Sequence, residues 1–343
     1  MTLKEIAAEA GVSISTASRV INKKSAKVAR PEVQKRILEI AEKSGYIPNV
    51  SAQYLKTGEY KKSETQPKTI ACIFARTPDP VNNPFFIDIA RNFEQTAYLY
   101  DSIVKHSLNP LDIQNTSFLQ ALSAENLDGV VVLGRCNNNM LHSLQKYFRH
   151  IVYVGLNEFD SKYDQVICNG KTIALSAMNY LFELNHTKIV YIGETKNEIR
   201  FNGYCEALEA QGIPLRKEYI VNIPQSSNHG YSGMQKILEQ TKDFTAVFCA
   251  DDSTAIGVMR ALFDHHIRIP ADVSVISIND NDSSEFLTPP LTTVHIPTKE
   301  MGNIAAKVLI DRIAHGHTLP IRVEMPFKII ERKSCAVAKS YTK

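Results

Sequence analysis

The sequence has no apolar run near the roughly 18 residues that a membrane-spanning helix requires, which excludes an integral membrane role. Its N-terminus carries Glu5 and Glu9 where a secretory leader would be apolar, so no signal peptide is read and a cytoplasmic location is expected. The six cysteines, Cys72, Cys136, Cys168, Cys205, Cys249 and Cys335, form no C-x-x-C pair. Their scatter in mostly apolar surroundings argues against a zinc site or a disulfide framework and for buried thiols in a reducing compartment. G-x-S-x-G, H-E-x-x-H, a P-loop and G-x-G-x-x-G are all missing. No catalytic residue, metal ligand or cofactor is therefore assigned, and the protein is expected not to be an enzyme.

The chain holds 343 residues, 44% hydrophobic and 22% charged, enough for two or three soluble domains with a sizeable core. Charge is uneven. Residues 1–62 carry twelve Lys/Arg and six Asp/Glu, while the remainder is slightly acidic. A basic module on a near-neutral body points to a polyanionic partner for that module.

The stretch Thr2–Asn22 fits two short helices joined by a tight turn. Thr2 and Glu5 have capping-box spacing. Ile6, Ala7 and Ala10 share one helical face, and Gly11 sits where the turn needs a left-handed residue. Val12 can plug the corner. Ser13 can cap a second helix to about Ile21, with Ala17, Val20 and Ile21 inward. Ile14, Ser15, Thr16, Ser18 and Arg19 then face out, a set suited to base edges and phosphates. An ordinary amphipathic helix pair would show the same pattern. A basic loop follows, and Pro31 opens a third helix with Val33, Ile37, Ile40 and Ala41 on its apolar stripe. Residues 49–56 could form a helix too short to stand alone, and a polar linker ends near Pro67.

From Thr69 short apolar runs alternate with helical patterns, an α/β body with parallel sheets and helices on both faces. Strands are expected at Thr69–Phe74, Ile103–His106, Val130–Leu133, Ile151–Val154, Lys188–Ile192, Thr245–Cys249, Val273–Ile278 and Arg322–Ile330. About 275 residues suit two lobes better than one sheet. Ligands bind outside the carboxyl ends of such strands.

Read together, Thr2–Asn22, Gly45–Leu55, Asn83–Phe86, Tyr180–Gly193, Arg200–Tyr204, Thr245–Ala261 and Asp272–Val294 resemble the lactose-repressor/galactose-repressor (LacI–GalR) family of bacterial transcription regulators. The resemblance implies a helix-turn-helix head at residues 1–48, a hinge helix and linker at 49–67, and an effector-binding, dimerising body at 68–343. That body would be two-lobed and of the periplasmic-binding-protein type. Its lobes are expected at about 68–157 plus 285–320, and about 158–284 plus 321–338. By that likeness Ile14 and Ser15, with Ala17 behind them, would select bases of double-stranded operator DNA. Thr16, Ser18 and Asn22 would hold phosphates, and Arg19 a base edge or phosphate. Asn49 and Ala52 match the hinge, and Leu55 matches a leucine that wedges into the minor groove. Gln53 and Tyr54 depart from the family pattern.

In the body, Phe85 or Phe86 would stack on ligand, and Arg200 would fork onto its oxygens. Arg135, Asp251 and Asn279 lie near the cleft by position, Asp251 and Asn279 departing from the usual residues. Helix capping is the alternative for Asp251-Asp252, and first-turn packing that for the phenylalanines. The expected function is a carbohydrate-responsive repressor acting as a homodimer on a palindromic operator. Its effector would be a sugar or sugar derivative, with no membrane partner.

Overall fold

The computed structural model describes residues 2–21, 29–44, 67–75, 84–136, 138–159 and 162–339. Contacts divide the chain into two compact units, Met1–Gln66 and Pro67–Lys343.

In the first unit, Thr2 Oγ1 accepts from the Glu5 N–H and Glu5 accepts from the Thr2 N–H, closing a capping box at the start of α1 (Leu3–Glu9). Gly11 turns the chain at φ +64°, a conformation costly for a residue with a Cβ. Ser13 Oγ accepts from the Thr16 N–H at 3.1 Å and opens α2 (Ile14–Ile21). Helix α3 (Pro31–Lys43) closes the core. Ile6, Ala7, Ala10, Ala17, Val20 and Ile37 are buried together. Arg36 reaches from α3 to donate to the Ala10 carbonyl at the end of α1. Asn22, Asn49, Ala52 and Leu55 lie outside the described residues, as do the expected hinge helix, Gln53, Tyr54 and Asn83.

The second unit holds two six-stranded sheets. The first contains β1 (Lys68–Phe74), β2 (Ser102–Leu108), β3 (Gly129–Leu133), β4 (Ile151–Gly155), β5 (Asp164–Ile167) and β11 (Arg322–Glu324). The second contains β6 (Ile189–Gly193), β7 (Ile220–Asn222), β8 (Ala246–Cys249), β9 (Ser274–Asn279), β10 (Thr292–His295) and β12 (Lys328–Ile330). Their orders, β11-β5-β4-β3-β1-β2 and β12-β10-β9-β8-β6-β7, repeat one winding, and only β10–β12 is antiparallel. Both faces of each sheet are covered. On β1, Ile70, Cys72 and Phe74 enter one core while Ala71 and Ile73 enter another. Among the described residues no helix is long and apolar enough to cross a membrane. All six cysteines are free thiols, and burial pushes Cys168 and Cys335 up to about 12.

The sheets correct the expected lobe limits. Strand β5 pairs in parallel with β4, so the first lobe extends to Ile167, past the expected change at 157/158. Strand β10 pairs with β9, which keeps the chain in the second lobe to His295 instead of leaving it at 284/285. The single late strand expected at Arg322–Ile330 is two: β11 joins β5, and β12 joins β10. Pro326 lies between them and has no N–H for a ladder. The chain thus passes between lobes three times, at residues 167–170, 295–298 and 324–328. Buried Asp164 secures the first lobe's late segment, accepting from Arg312 Nε and Nη2, His317 and the Ile321 N–H. Burial works to raise the Asp164 pKa, but these donors outweigh it and hold the carboxyl below the usual aspartate range.

Helix α4 (Pro84–Leu99) packs on the crossover helix Thr298–Ile313, and Gly302 makes the approach possible. A Cβ there would lie 2.4 Å from the Ile89 carbonyl oxygen and 2.9 Å from the Phe93 nitrogen. Gly302→Ala is expected to destabilise the second unit by about 1–3 kcal/mol, as overpacking does. A melting temperature equal to that of the parent would show that the helices can separate at no cost.

Candidate functional site

Packing settles which side of α2 is available. Ala17 is wholly buried and Val20 nearly so, in the core beside α1 and α3. Ile14 (39% exposed), Ser15 and Arg19 stand on the outer side, and Thr16 and Ser18 are half-buried at its margin. Ser13 Oγ lies 2.8 Å from both Ser15 Oγ and Thr16 Oγ1, so three hydroxyls cluster at the positive end of the helix. Short hydroxyls, helix-end N–H groups and an exposed arginine can hold phosphates and reach base edges. Ala17 is a correction: its methyl group fills the core and cannot touch a base.

The second site lies at the carboxyl ends of the strands. In the repeated winding, the switch points fall between β1 and β3 in one lobe and between β6 and β8 in the other, where ligands collect in open α/β sheets. Two cavities lie there between the lobes. One, of about 540 Å³, is lined by Ala75, Arg135 and Met140 of the first lobe and by Glu194, Lys196 and Asn222 of the second. The other, of about 510 Å³, is lined by Phe85, Asp88 and Arg91 of the first lobe and by Asn279, Asp280 and Asp282 of the second.

Gly134, at φ +92°, turns the chain out of β3 and presents Arg135. A Cβ on Gly134 would meet the Phe86 ring at 2.9 Å, so Phe86 packs beneath the turn. Phe85 meets Phe86 edge-on at 5.0 Å and is the one of the pair that lines a cavity. Both rings are buried.

Arg135 reaches into the second lobe, donating to Glu194, to Glu198 Oε2 at 3.2 Å and to the carbonyls of Lys196 and Asn197. Glu198 caps the helix Ile199–Ala210 by accepting from the Arg200 N–H, and also takes the Arg200 guanidinium. Nε donates to Oε1 at 2.7 Å and Nη2 to Oε2 at 2.9 Å, while Nη1 donates to the Ala250 carbonyl at 2.7 Å. Both Arg200 and Glu198 are 3% exposed. Burial works to lower the Arg200 pKa, but the Glu198 carboxylate outweighs it and raises it above the usual arginine value. Arg135 lines the first cavity, whereas Arg200, expected to fork onto ligand, lines neither and is held by Glu198 and the Ala250 carbonyl. Sequence reasoning missed Glu194 and Glu198; the available signal was an acidic residue directly after β6 and another directly before the helix Ile199–Ala210.

Of the adjacent aspartates, the capping alternative holds for Asp251, and Asp252 neither caps nor lines a cavity. Asp251 is the helix cap, accepting from the Thr254 N–H at 2.8 Å, and lines neither cavity. Asp252 is fully buried and takes Ser277 Oγ at 2.5 Å, Thr293 Oγ1 at 2.7 Å and the Asn281 N–H at 2.6 Å. It thereby ties β9 and β10 to the loop in which Asn279 and Asp280 adopt φ +122° and +60°. Burial pushes its carboxyl up to about 6, against the lowering effect of these donors. Asn279 lines the second cavity, and its buried Oδ1 has no hydrogen-bond partner among the described residues. No group of three or more His, Cys, Asp or Glu among the described residues could hold a metal ion.

Comparison with known proteins agrees with this division. A family model for bacterial regulatory proteins of the lacI family matches residues 2–49, and one for a periplasmic binding protein-like domain matches residues 178–335. The chain is similar to the HTH-type transcriptional regulator RegA of Clostridium saccharobutylicum, 30% identical over 97% of this chain and 98% of that protein. It is also similar to the HTH-type transcriptional repressor MelR of Bacillus subtilis, 29% identical over 99% of both. Among solved structures, a complex of the transcriptional regulator CelR with cellobiose superposes with a TM-score of 0.72 at 25% identity, covering 97% of this chain and 99% of that one. A lacI-family regulator from Enterococcus faecium with bound ribose gives 0.69 at 25% identity, covering 79% and 100%.

The pKa of Asp252 sets a pH dependence. Its folded value of about 6 exceeds the unfolded value of about 4. The stability it supports is therefore complete below about pH 4 and is lost as pH rises through about 6. Asp252→Asn cannot titrate. The stability of the parent relative to this variant is expected to fall by about 2–3 kcal/mol between pH 4 and 7 in urea titrations. A pH-independent difference would show that the buried carboxyl titrates normally.

Proposed function

The chain belongs to the lacI family of bacterial regulatory proteins, and from that premise we propose that it is a ligand-responsive repressor of carbohydrate-utilisation genes. The observation that carries this reading is the exposed side of α2. Ile14, Ser15 and Arg19 face out while Ala17 and Val20 hold the helix in its core, so α2 is free to enter a major groove. One such helix reads only a few base pairs. A homodimer on a palindromic operator doubles the reading. Exposed Tyr100 just before the edge strand β2 of the first lobe and Ile103 on it, with Phe263 and Phe286 on the second lobe, offer apolar surface for a second copy. Asn22, Asn49, Ala52 and Leu55 complete the proposed DNA contacts.

The effector is proposed to occupy the space between the lobes. Phe85 supplies an apolar wall, Asn279 an unmatched acceptor, and Arg135 a lobe-bridging donor. CelR was solved with cellobiose and the Enterococcus faecium regulator with ribose, which favours a sugar here. Ligand would act by its different affinity for open and closed lobes. We read the body as a binding module without catalysis, acting in the cytoplasm where the DNA is.

Arg19→Ala is expected to weaken operator binding by about 1–3 kcal/mol in a gel-shift titration, without changing the melting temperature. Operator affinity equal to the parent's would remove Arg19 from the contact. Sugar that leaves the operator complex unchanged while raising the melting temperature would separate ligand binding from regulation.

A further inference from the structure

Arg135, which lines the first cavity, and Arg200 are already occupied by protein carboxylates. Glu198 Oε1 accepts the Arg200 N–H at 3.2 Å and Nε at 2.7 Å, and Oε2 accepts Arg200 Nη2 and Arg135 Nη1. Arg135 Nη2 is held by Glu194. Two guanidinium groups and two carboxylates make a locally neutral cluster, and its inner pair is 3% exposed. The bidentate seat that Arg200 would offer to a carboxylate or phosphate is filled.

We propose that Glu198 is a resident counter-ion that excludes anionic ligands, reserving the cleft for uncharged polyhydroxylated molecules such as neutral sugars. This rests on the reading of the cleft as the effector site. To pair with Arg135 or Arg200, an anionic ligand would have to displace Glu198 and leave a buried carboxylate short of a partner. A neutral hydroxyl displaces nothing. The second cavity favours the same class. Asp88, Asp280 and Asp282 face that cavity with Arg91, so its wall carries an acidic excess before His295 is counted. Arg332, which pairs with Asp280, is committed there.

The experiment is calorimetric titration of the full chain with matched probes: glucose against glucuronate, and ribose against ribose 5-phosphate. Cellobiose serves as a further neutral probe. The parent protein is expected to bind neutral members and not their anionic counterparts. Glu198→Gln keeps the shape and one acceptor for Arg200 but removes the charge, and is expected to gain affinity for an anionic member on the order of tenfold or more. A parent that binds the anionic member of a pair as tightly as the neutral one overturns the proposal, whether or not the variant folds. A folded Glu198→Gln with no gain for any anion also overturns it. A parent that binds none of the probes, with a variant that gains the anions, upholds the exclusion and counts instead against the neutral sugars tried as effectors.

Discussion

The Arg135 guanidinium crosses between the lobes, and much of the cleft's architecture depends on it. Arg135 leaves β3 at a turn that Gly134 and the Phe86 ring define, and ends among acceptors that follow β6. Burying Arg200 and Glu198 beside the half-buried Arg135 and Glu194 would be unfavourable without close pairing. Here each is matched, and the carboxylate at the centre also caps a helix. Glu198 therefore joins three things: the start of a helix, the position of Arg200 and the contact with the opposite lobe. The arrangement places charge chemistry at the two switch points, where a doubly wound sheet leaves its loops apart.

The N-terminal unit was legible because its signals are local. Thr2 with Glu5, Gly11, Ser13 and Pro31 each act within one helical turn, and the observed helices begin where those residues place them. Ala17, read as inward from its helical spacing, is wholly buried between half-buried Thr16 and Ser18, so it cannot also stand with the base-selecting residues that the family likeness set beside it.

In the body, strands of continuous apolar residues were plain, whereas β5, β7 and β10 were not. Strand β5 opens on Asp164-Gln165, β7 has three residues, too few for any period, and β10 reads Thr-Thr-Val-His, with a single aliphatic side chain. The passage from β11 to β12 is invisible in hydrophobicity alone, because both pieces read as extended. The site shows the same division. Position along the chain pointed to Arg135 and Arg200, of which Arg135 lines a cavity, but not to what they bond. The partner of Arg200 is two residues away in sequence, a separation at which helical side chains do not normally face each other. Glu198 manages it because it is the cap, outside the helix. Asp251 and Asp252 are adjacent and equivalent in composition. Only the depth of the second, among Ser277 and Thr293, distinguishes a hub from a cap.

The three passages between lobes, each only a few residues long, also limit how the body can move. Side-by-side tethers at residues 167–170, 295–298 and 324–328 resist sliding and separation. What they leave is a rocking motion about the line they share. A molecule gripped at the strands' carboxyl ends is then recorded as an angle. That angle is magnified with distance, so a displacement of an ångström beside Arg135 becomes a larger sweep at the amino-terminal ends of the same strands.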